Sequence, residues 1–380
     1  MLGAEPELEG DPWVKLVLGR EWDGDQNAPG GPLGWAPLLY ACHSCFPTNA
    51  LAKELLRRGA DPNSFFVNEY GNMSALYGAA GIRYDPELTR ALLEGGANPN
   101  DGESVYHSTE AESPECLRIL LEHGAETNGT NALAHALDNE RLEHVRLLLE
   151  HGLDPNEGAC VAHAVRRGRG AEVIELLVSH GADVNRPGGE TWRGNVPLRT
   201  PYQHAVLRGR DDLAQLLARL GASTDVDPAD AAVASIARGE QPTTPLPEPL
   251  DPDAQEVLVL SAQGGKLDLV LDVVGPHFSG VVFGSPPGTL LHHAAWIGSV
   301  GNVERLLERG ADPVARAHFD TPLAWAAHGS RDYDDPDGDH VGVAERLVAA
   351  GAEIEPRFLE LADGPLAEWL QSRSIASPKE

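Results

Sequence analysis

The chain has 380 residues and a mass of 40.5 kDa, with 58 acidic residues against 29 basic ones, a formal charge of -29 and a pI near 4.8. Hydrophobic residues make up 42% and aromatics only 6%, which suits a core of Leu, Ala and Val rather than of large rings. These values exclude a membrane span, a disordered acidic tail and a disulfide-stapled mini-protein, and they argue against non-specific binding to nucleic acid or anionic membrane.

The first residues read MLGAEPELEGDPW, acidic and without an apolar stretch, so no secretory signal is expected. Residues 1–34 should form an N-terminal cap around DPWVKLVLGREW. Cys42, Cys45, Cys116 and Cys160 are too sparse for an extracellular scaffold, and a cytoplasmic setting with reduced thiols is expected. Cys42-His43-Ser44-Cys45 matches C-x-x-C, a redox motif or half of a zinc site. It falls in the apolar segment PLLYACHSCF with no second close pair, so helix thiols are the simpler expectation.

From residue 51 onward, short amphipathic runs such as LAKELLRRG, VRLLLEHG and VERLLERG place leucines three and four apart on one face. Each ends in a Gly-Ala-Asp-like turn, at Gly59, Gly96, Gly124, Gly152 and Gly181, with weaker copies at Gly221, Gly310 and Gly351. Gly suits a left-handed helix end, and Asp and Pro fit the turn beyond it. Successive glycines are 37, 28, 28, 29, 40, 89 and 41 residues apart. Intervals of 28 imply trimmed loops and those of 40 and 41 imply insertions. The interval of 89 should hold two degenerate copies, around DAAVASIARGE and EVLVLSAQGGKLDLVLDVV. A second short helix precedes each run, best seen in Thr289-Leu290-Leu291-His292-His293-Ala294-Ala295, in Thr321-Pro322-Leu323-Ala324-Trp325-Ala326-Ala327 and in Thr200-Pro201-Tyr202-Gln203-His204-Ala205.

This pattern resembles the ankyrin repeat, whose signature is T-P-L-H-x-A followed by L-L and G-A-D at a period of about 33 residues. The likeness covers roughly residues 35–354, and its Ala/Gly/Arg-rich style is similar to bacterial ankyrin-repeat proteins. It implies an all-α solenoid of about nine to ten helix-turn-helix units with atypical terminal caps. Residues 35–240 would form a first block and 254–354 a second. The Pro-rich segment 241–253 would be a loop or hinge, and 355–380 a C-terminal cap and tail, with PRFLELADGPLAEWL as a closing helix pair.

Ankyrin-like arrays present the first helix of each repeat to partners. The residue before the inner Ala forms a column there: Tyr40, Gly78, His107, His135, His163, His204, His293 and Trp325. A metal ladder is disfavoured because helices pack about 8–10 Å apart whereas a metal needs nitrogens near 2.1 Å. Half-buried rings bonded to a neighbouring loop carbonyl, or contact with a partner, fit better. His292 holds the motif's own His position and reads as structural.

Residues 165–210 carry Arg166, Arg167, Arg169, Arg186, Arg193, Arg199, Arg208 and Arg210 against four acidic residues, an arginine-rich window suited to carboxylate or phosphate. Trp192 and Arg193 lie on an inserted loop within it, and Arg167 and Arg208 flank the column. Asp335, Asp337 and Asp339 begin like a calcium loop. However, His340 stands where that loop needs Gly and Arg346 where it needs Glu, so no metal is assigned.

No Walker loop, H-E-x-x-H or nucleophile elbow is present, and neither cofactor nor catalytic residue is assigned. The reading is therefore a protein-interaction module, with the acidic field favouring a basic protein partner and neither nucleic acid nor membrane. Two other readings are an immunity protein neutralising a basic toxin, and a small-molecule binder or unusual enzyme using a His- and Arg-lined groove.

Overall fold

A computed structural model describes residues 11–189, 197–246, 249–274, 286–333 and 337–374. The chain divides into two compact units, Met1–Gly188 and Gly189–Glu380.

The N-terminal unit opens with α1 (Pro12–Val17), capped by the Asp11 carboxylate, which accepts from the Trp13 and Val14 amides. Five helix pairs follow. They are α2 (Pro37–His43) with α3 (Asn49–Arg57), α4 (Ala75–Tyr77) with α5 (Pro86–Glu94), and α6 (Ser104–Ser108) with α7 (Glu115–Glu122). Next come α8 (Ala132–Asp138) with α9 (Leu142–Glu150) and α10 (Cys160–Arg166) with α11 (Ala171–Ser179). First helices pack on first helices and second on second, giving two layers around the leucine stripes.

The glycine turns close the second helices as anticipated. All eight glycines have φ between 83 and 107. The amide after each reaches back to the carbonyl five residues earlier, as Ala60 does to Leu55, Ala125 to Leu120 and Ala352 to Leu347. This is the Schellman closure that satisfies the orphan carbonyls of a helix end.

The Asn beyond the turn has a further role that periodicity alone did not reveal. Asn63 donates to the Gly96 carbonyl (3.1 Å) and accepts from the Asn98 amide (2.7 Å). Asn156 repeats this on Gly181 (3.1 Å) and Asp183 (2.7 Å), and Asn27 on Gly59 and Asp61. Each such side chain staples one loop to the next.

One element departs from an all-helical reading. The 37-residue interval contains a β-hairpin, β1 (Phe65–Asn68) and β2 (Gly71–Ser74), with Phe66 opposite Met73. Phe-Phe-Val favours extended backbone, and Asn68 closes the turn by accepting from the Tyr70 and Gly71 amides.

The C-terminal unit contains α12 (Pro201–Leu207) with α13 (Asp211–Arg219), then α14 (Pro228–Arg238). It continues with α15 (Pro252–Ser261) and α16 (Leu267–Val274), then α17 (Leu290–Trp296) with α18 (Val300–Glu308). It ends with α19 (Pro322–Asp332) with α20 (His340–Ala349) and α21 (Phe358–Leu361) with α22 (Gly364–Ser374). Besides α17 and α18, the interval of 89 residues thus holds one helix pair, α15 with α16, and, in α14, a first helix with no second helix among the described residues. The Pro-rich chain follows α14 instead, because its prolines remove backbone donors. Its Leu246 and Leu250 pack on a core that runs from Leu207 and Val233 through Val257 and Leu258, so helices on both sides of the segment share that core.

Candidate functional site

The structure sorts the expected column by local packing. In the N-terminal unit Tyr40 is buried, and its hydroxyl donates to the Gly30 carbonyl (2.9 Å) and accepts from the Leu33 amide (2.7 Å). It anchors the loop ahead of α2 instead of facing a partner. His107, His135 and His163 are half-buried. His107 lies between two carboxylates, with Nδ1 2.8 Å from Glu110 and Nε2 3.3 Å from Glu103. The His135 ring stacks on Tyr106 at 3.9 Å and 8°, and its Nδ1 is 3.0 Å from the Thr109 hydroxyl. His163 Nε2 is 2.7 Å from Asp138, whose same oxygen also meets Arg167 Nε at 2.7 Å. The partners are mainly side chains, not the loop carbonyls expected for the column.

These histidines belong to a larger stripe. Trp35 stacks on Phe66 (4.1 Å, 14°), Phe66 meets His43 (5.2 Å), and His43 meets Tyr77 (5.9 Å). Tyr77 meets His107 (5.0 Å), which meets Tyr106 (4.9 Å), which carries His135. All seven rings are half-buried. Two glycines make room for them. A Cβ on Gly78 would come within 2.6 Å of the His43 ring, and one on Gly81 within 2.7 Å of His107 Cβ. Trp35, His43, Phe66, Tyr77 and Tyr106 escaped the column because they come from a loop, a helix end, a hairpin and the neighbouring motif position. The one available signal was the hairpin-sized 37-residue interval.

In the C-terminal unit the column turns inward. His204 is fully buried, with Nδ1 3.4 Å from Arg208. Arg208 is itself nearly buried and lies 3.6 Å from Glu256. Trp325 is a core residue, packed by His292 (5.3 Å), Trp296 (5.8 Å) and Phe319 (5.4 Å). His293 stays half-buried at 5.2 Å from it. Tyr40, His204 and Trp325 are therefore corrected from surface candidates to packing residues. Trp192, Arg193 and Asp335 lie outside the described residues.

The arginine window does not form one positive patch. Arg167 is held by Asp138, Arg169 by Glu140, Arg208 by Glu256 and Arg210 by Asp212. Arg199 is buried among Asp230, Asp251 and Asp253. The window also spans the division between the two units. Cys42 is buried and its thiol is pushed up to about 12 by that burial, while Cys45 is exposed. Among the described residues no group of three or more His, Cys, Asp or Glu is arranged to hold a metal. No helix among them is long and apolar enough to cross a membrane. Two cavities of about 220 and 230 Å³ open at Arg141–Gly168 and at Thr127–Cys160, and neither is lined by a column histidine.

His292 shows why the motif prefers its residue. It is fully buried; Nδ1 accepts from the Thr289 amide (3.1 Å), so Nε2 carries the proton and donates to the Ala315 (3.1 Å) and Asp320 (3.0 Å) carbonyls. Burial holds His292 below the ordinary histidine range, and a second proton would face the Thr289 donor. His43, His144 and His163 are lowered by burial as well. In this range the unfolded chain binds more protons than the native one. Histidine-linked stability is therefore complete above about pH 6.5 and falls as pH drops toward the native values, by at most about 1.4 kcal/mol per pH unit for each group. Gln203 makes the same box with Thr200 and reaches the next loop at the Asp225 carbonyl (3.2 Å). His292→Gln should therefore flatten the loss measured by urea unfolding between pH 6.5 and 5. An unchanged slope would remove His292 from that linkage.

Comparison with known proteins finds similarity to ankyrin repeats. A family model for ankyrin repeats in three copies matches residues 76–159, and a single ankyrin-repeat model matches residues 289–318. One match falls in each unit. Among solved structures, the chain is similar to the ankyrin repeat domain of human Bcl-3, a member of the IkappaB protein family. That match is 24% identical, covers 56% of this chain and 88% of that one, and has a TM-score of 0.38. It is also similar to an ankyrin repeat domain from Acinetobacter baumannii AYE, at 25% identity, 49% and 98% coverage and a TM-score of 0.41. No curated protein matches the chain significantly.

Proposed function

We propose that this chain is a protein-interaction scaffold and that its N-terminal unit holds a partner protein on its ring stripe. The observation that carries this reading is the unbroken run of seven half-buried rings from Trp35 to His135. Rings already locked by their neighbours lose little rotamer freedom on binding, so more of the contact energy is kept as affinity. The charge of -29 steers basic partners and repels acidic ones.

The test is affinity capture from the native lysate, comparing the parent chain with a Tyr77→Ala/Tyr106→Ala variant of verified fold. A protein retained by the parent and lost by the variant supports the stripe. Equal retention by both moves the interface elsewhere. The identity of the captured protein decides whether a basic toxin is the partner.

A further inference from the structure

The β1–β2 hairpin has a covered face and an open one. Phe66 and Met73 are register partners on the covered face, where Phe66 stacks on Trp35 and Met73 is buried. Phe65 and Val67 alternate to the other face and are 52% and 69% exposed. The repeat that follows, from Gly96 to Gly124, is only 28 residues long and forms no hairpin that could cover them.

The segment beside this opening carries carboxylates that are met by histidine rings. Ser74, the last residue of β2, donates to Asp101, and the chain runs from Asp101 into α6. There Glu110 accepts from the Tyr84 hydroxyl (2.8 Å), and Glu103 and Glu110 flank His107. No lysine or arginine side chain pairs with either carboxylate among the described residues. Some carboxylates elsewhere are met directly by a cation, Glu87 by Lys53 and Glu304 by Arg346. The hydroxyls of Tyr77 and Tyr106 have no hydrogen bond among the described residues. Burial, reinforced by the charges of Glu103 and Glu110, raises both phenols above their ordinary value, as expected in a negative field.

We propose that this opening receives an extended segment of a partner protein bearing an arginine, with an apolar side chain on Phe65 and Val67 and the guanidinium among Tyr77, Tyr106, Glu103 and Glu110. This deepens the scaffold reading and rests on it. Charge complementarity selects a cation, and the combination of ring faces with separate carboxylates selects a planar, multi-donor one. A guanidinium stacks on aromatic rings and forks to carboxylates, whereas an ammonium is a strongly hydrated point charge.

The experiment uses the full chain and three blocked heptapeptides, Val-Gly-Val-X-Val-Gly-Val, with X as arginine, lysine or citrulline, titrated by calorimetry. The arginine peptide should bind about ten-fold more tightly than the citrulline one, the range expected for charge-assisted hydrogen bonds. Glu103→Gln/Glu110→Gln should remove that advantage. Glu304→Gln/Glu345→Gln, with the same change in net charge in the other unit, should leave affinity within two-fold.

Equal binding of arginine and citrulline peptides, equal binding of arginine and lysine peptides, or equal weakening by both glutamine pairs would each overturn the assignment. Should Glu103→Gln/Glu110→Gln loosen α6, the parent chain still decides. Its Tyr77 and Tyr106 ring resonances must shift with the arginine peptide and not with the citrulline one, and static rings refute the site. A captured partner lost by Tyr77→Ala/Tyr106→Ala but indifferent to the glutamine pair would leave the scaffold standing without its arginine pocket.

Discussion

Arg199→Ala is expected to destabilise the C-terminal unit by about 3–5 kcal/mol, a large share of the stability of any domain. Arg199 is 5% exposed. Its Nε and Nη2 grip both oxygens of Asp230 at 2.8 and 2.7 Å. Nη2 also lies 2.7 Å from Asp251, and Nη1 is 3.4 Å from Asp253, which is fully buried. Truncation leaves three clustered carboxylates facing one another without the guanidinium that offsets their desolvation. Arg199→Lys should fall between parent and alanine, because one ammonium cannot reproduce the fork.

The pH dependence carries the sign of the mechanism. Burial pulls Asp251 upward, but the Arg199 hydrogen bond and charge, with the Ala254 and Asp253 amides, outweigh it and hold the carboxyl below its ordinary range. In the parent this stabilisation is present above the unfolded value near 4 and is lost as pH falls through the native one. In the alanine variant Asp251 loses that support and takes up its proton more readily when folded, so the deficit should narrow as pH is lowered from 7.5 toward 4.5. Urea unfolding of both chains across that range measures it. A deficit under about 1 kcal/mol at pH 7.5 would show that the cluster is tolerated without its cation.

Gly329→Ala should cost about 3 kcal/mol or more, against the sign that helix propensity predicts. Within a helix, Ala is favoured over Gly by about 1 kcal/mol. At Gly329 in α19, however, a Cβ would stand 2.0 Å from the Trp296 carbonyl oxygen at the end of α17 and 3.0 Å from His340 Nε2. His340 Nε2 lies 2.9 Å from that same carbonyl, so neither neighbour can yield without breaking the contact. Overpacking against backbone has to be relieved by moving helices apart. The control is Gly301→Ala in α18, where nothing lies within 4 Å and the propensity gain should appear unopposed. Thermal unfolding of the two variants should therefore move in opposite directions. A stabilised Gly329→Ala would mean that α17 and α19 are not as close as described.

Gly329 also illustrates which features escape a linear reading. In sequence it is one more Gly near a helix end, indistinguishable from Gly301. The same limit applies to the histidine column, whose spacing places Tyr40, His135, His204 and Trp325 in equivalent slots. His135 keeps a half-exposed ring because Tyr106 lies flat beneath it. Trp325 is enclosed by His292, Trp296 and Phe319. The stripe itself is built from five kinds of local position and no single periodicity traces it. The arginine window failed as a patch for a related reason, since Arg167, Arg199 and Arg208 each meet acidic residues 29 to 52 positions away.

What the linear sequence determined by itself was everything that depends on bonds within a few residues. Gly59 to Gly351 end their helices because positive φ and the backward amide bond are local requirements that Gly meets without a Cβ penalty. The leucine stripe of each run likewise dictates which side is buried. Tertiary structure decided which of the repeated slots stay open and which carboxylates meet arginine or histidine. Exposure is a property of what the neighbouring repeat brings, and the trimmed 28-residue repeat brings nothing to cover Phe65 and Val67. The acidity that first marks this chain is likewise sorted by packing: part of it is met by arginine, and beside that opening Glu103 and Glu110 meet histidine instead.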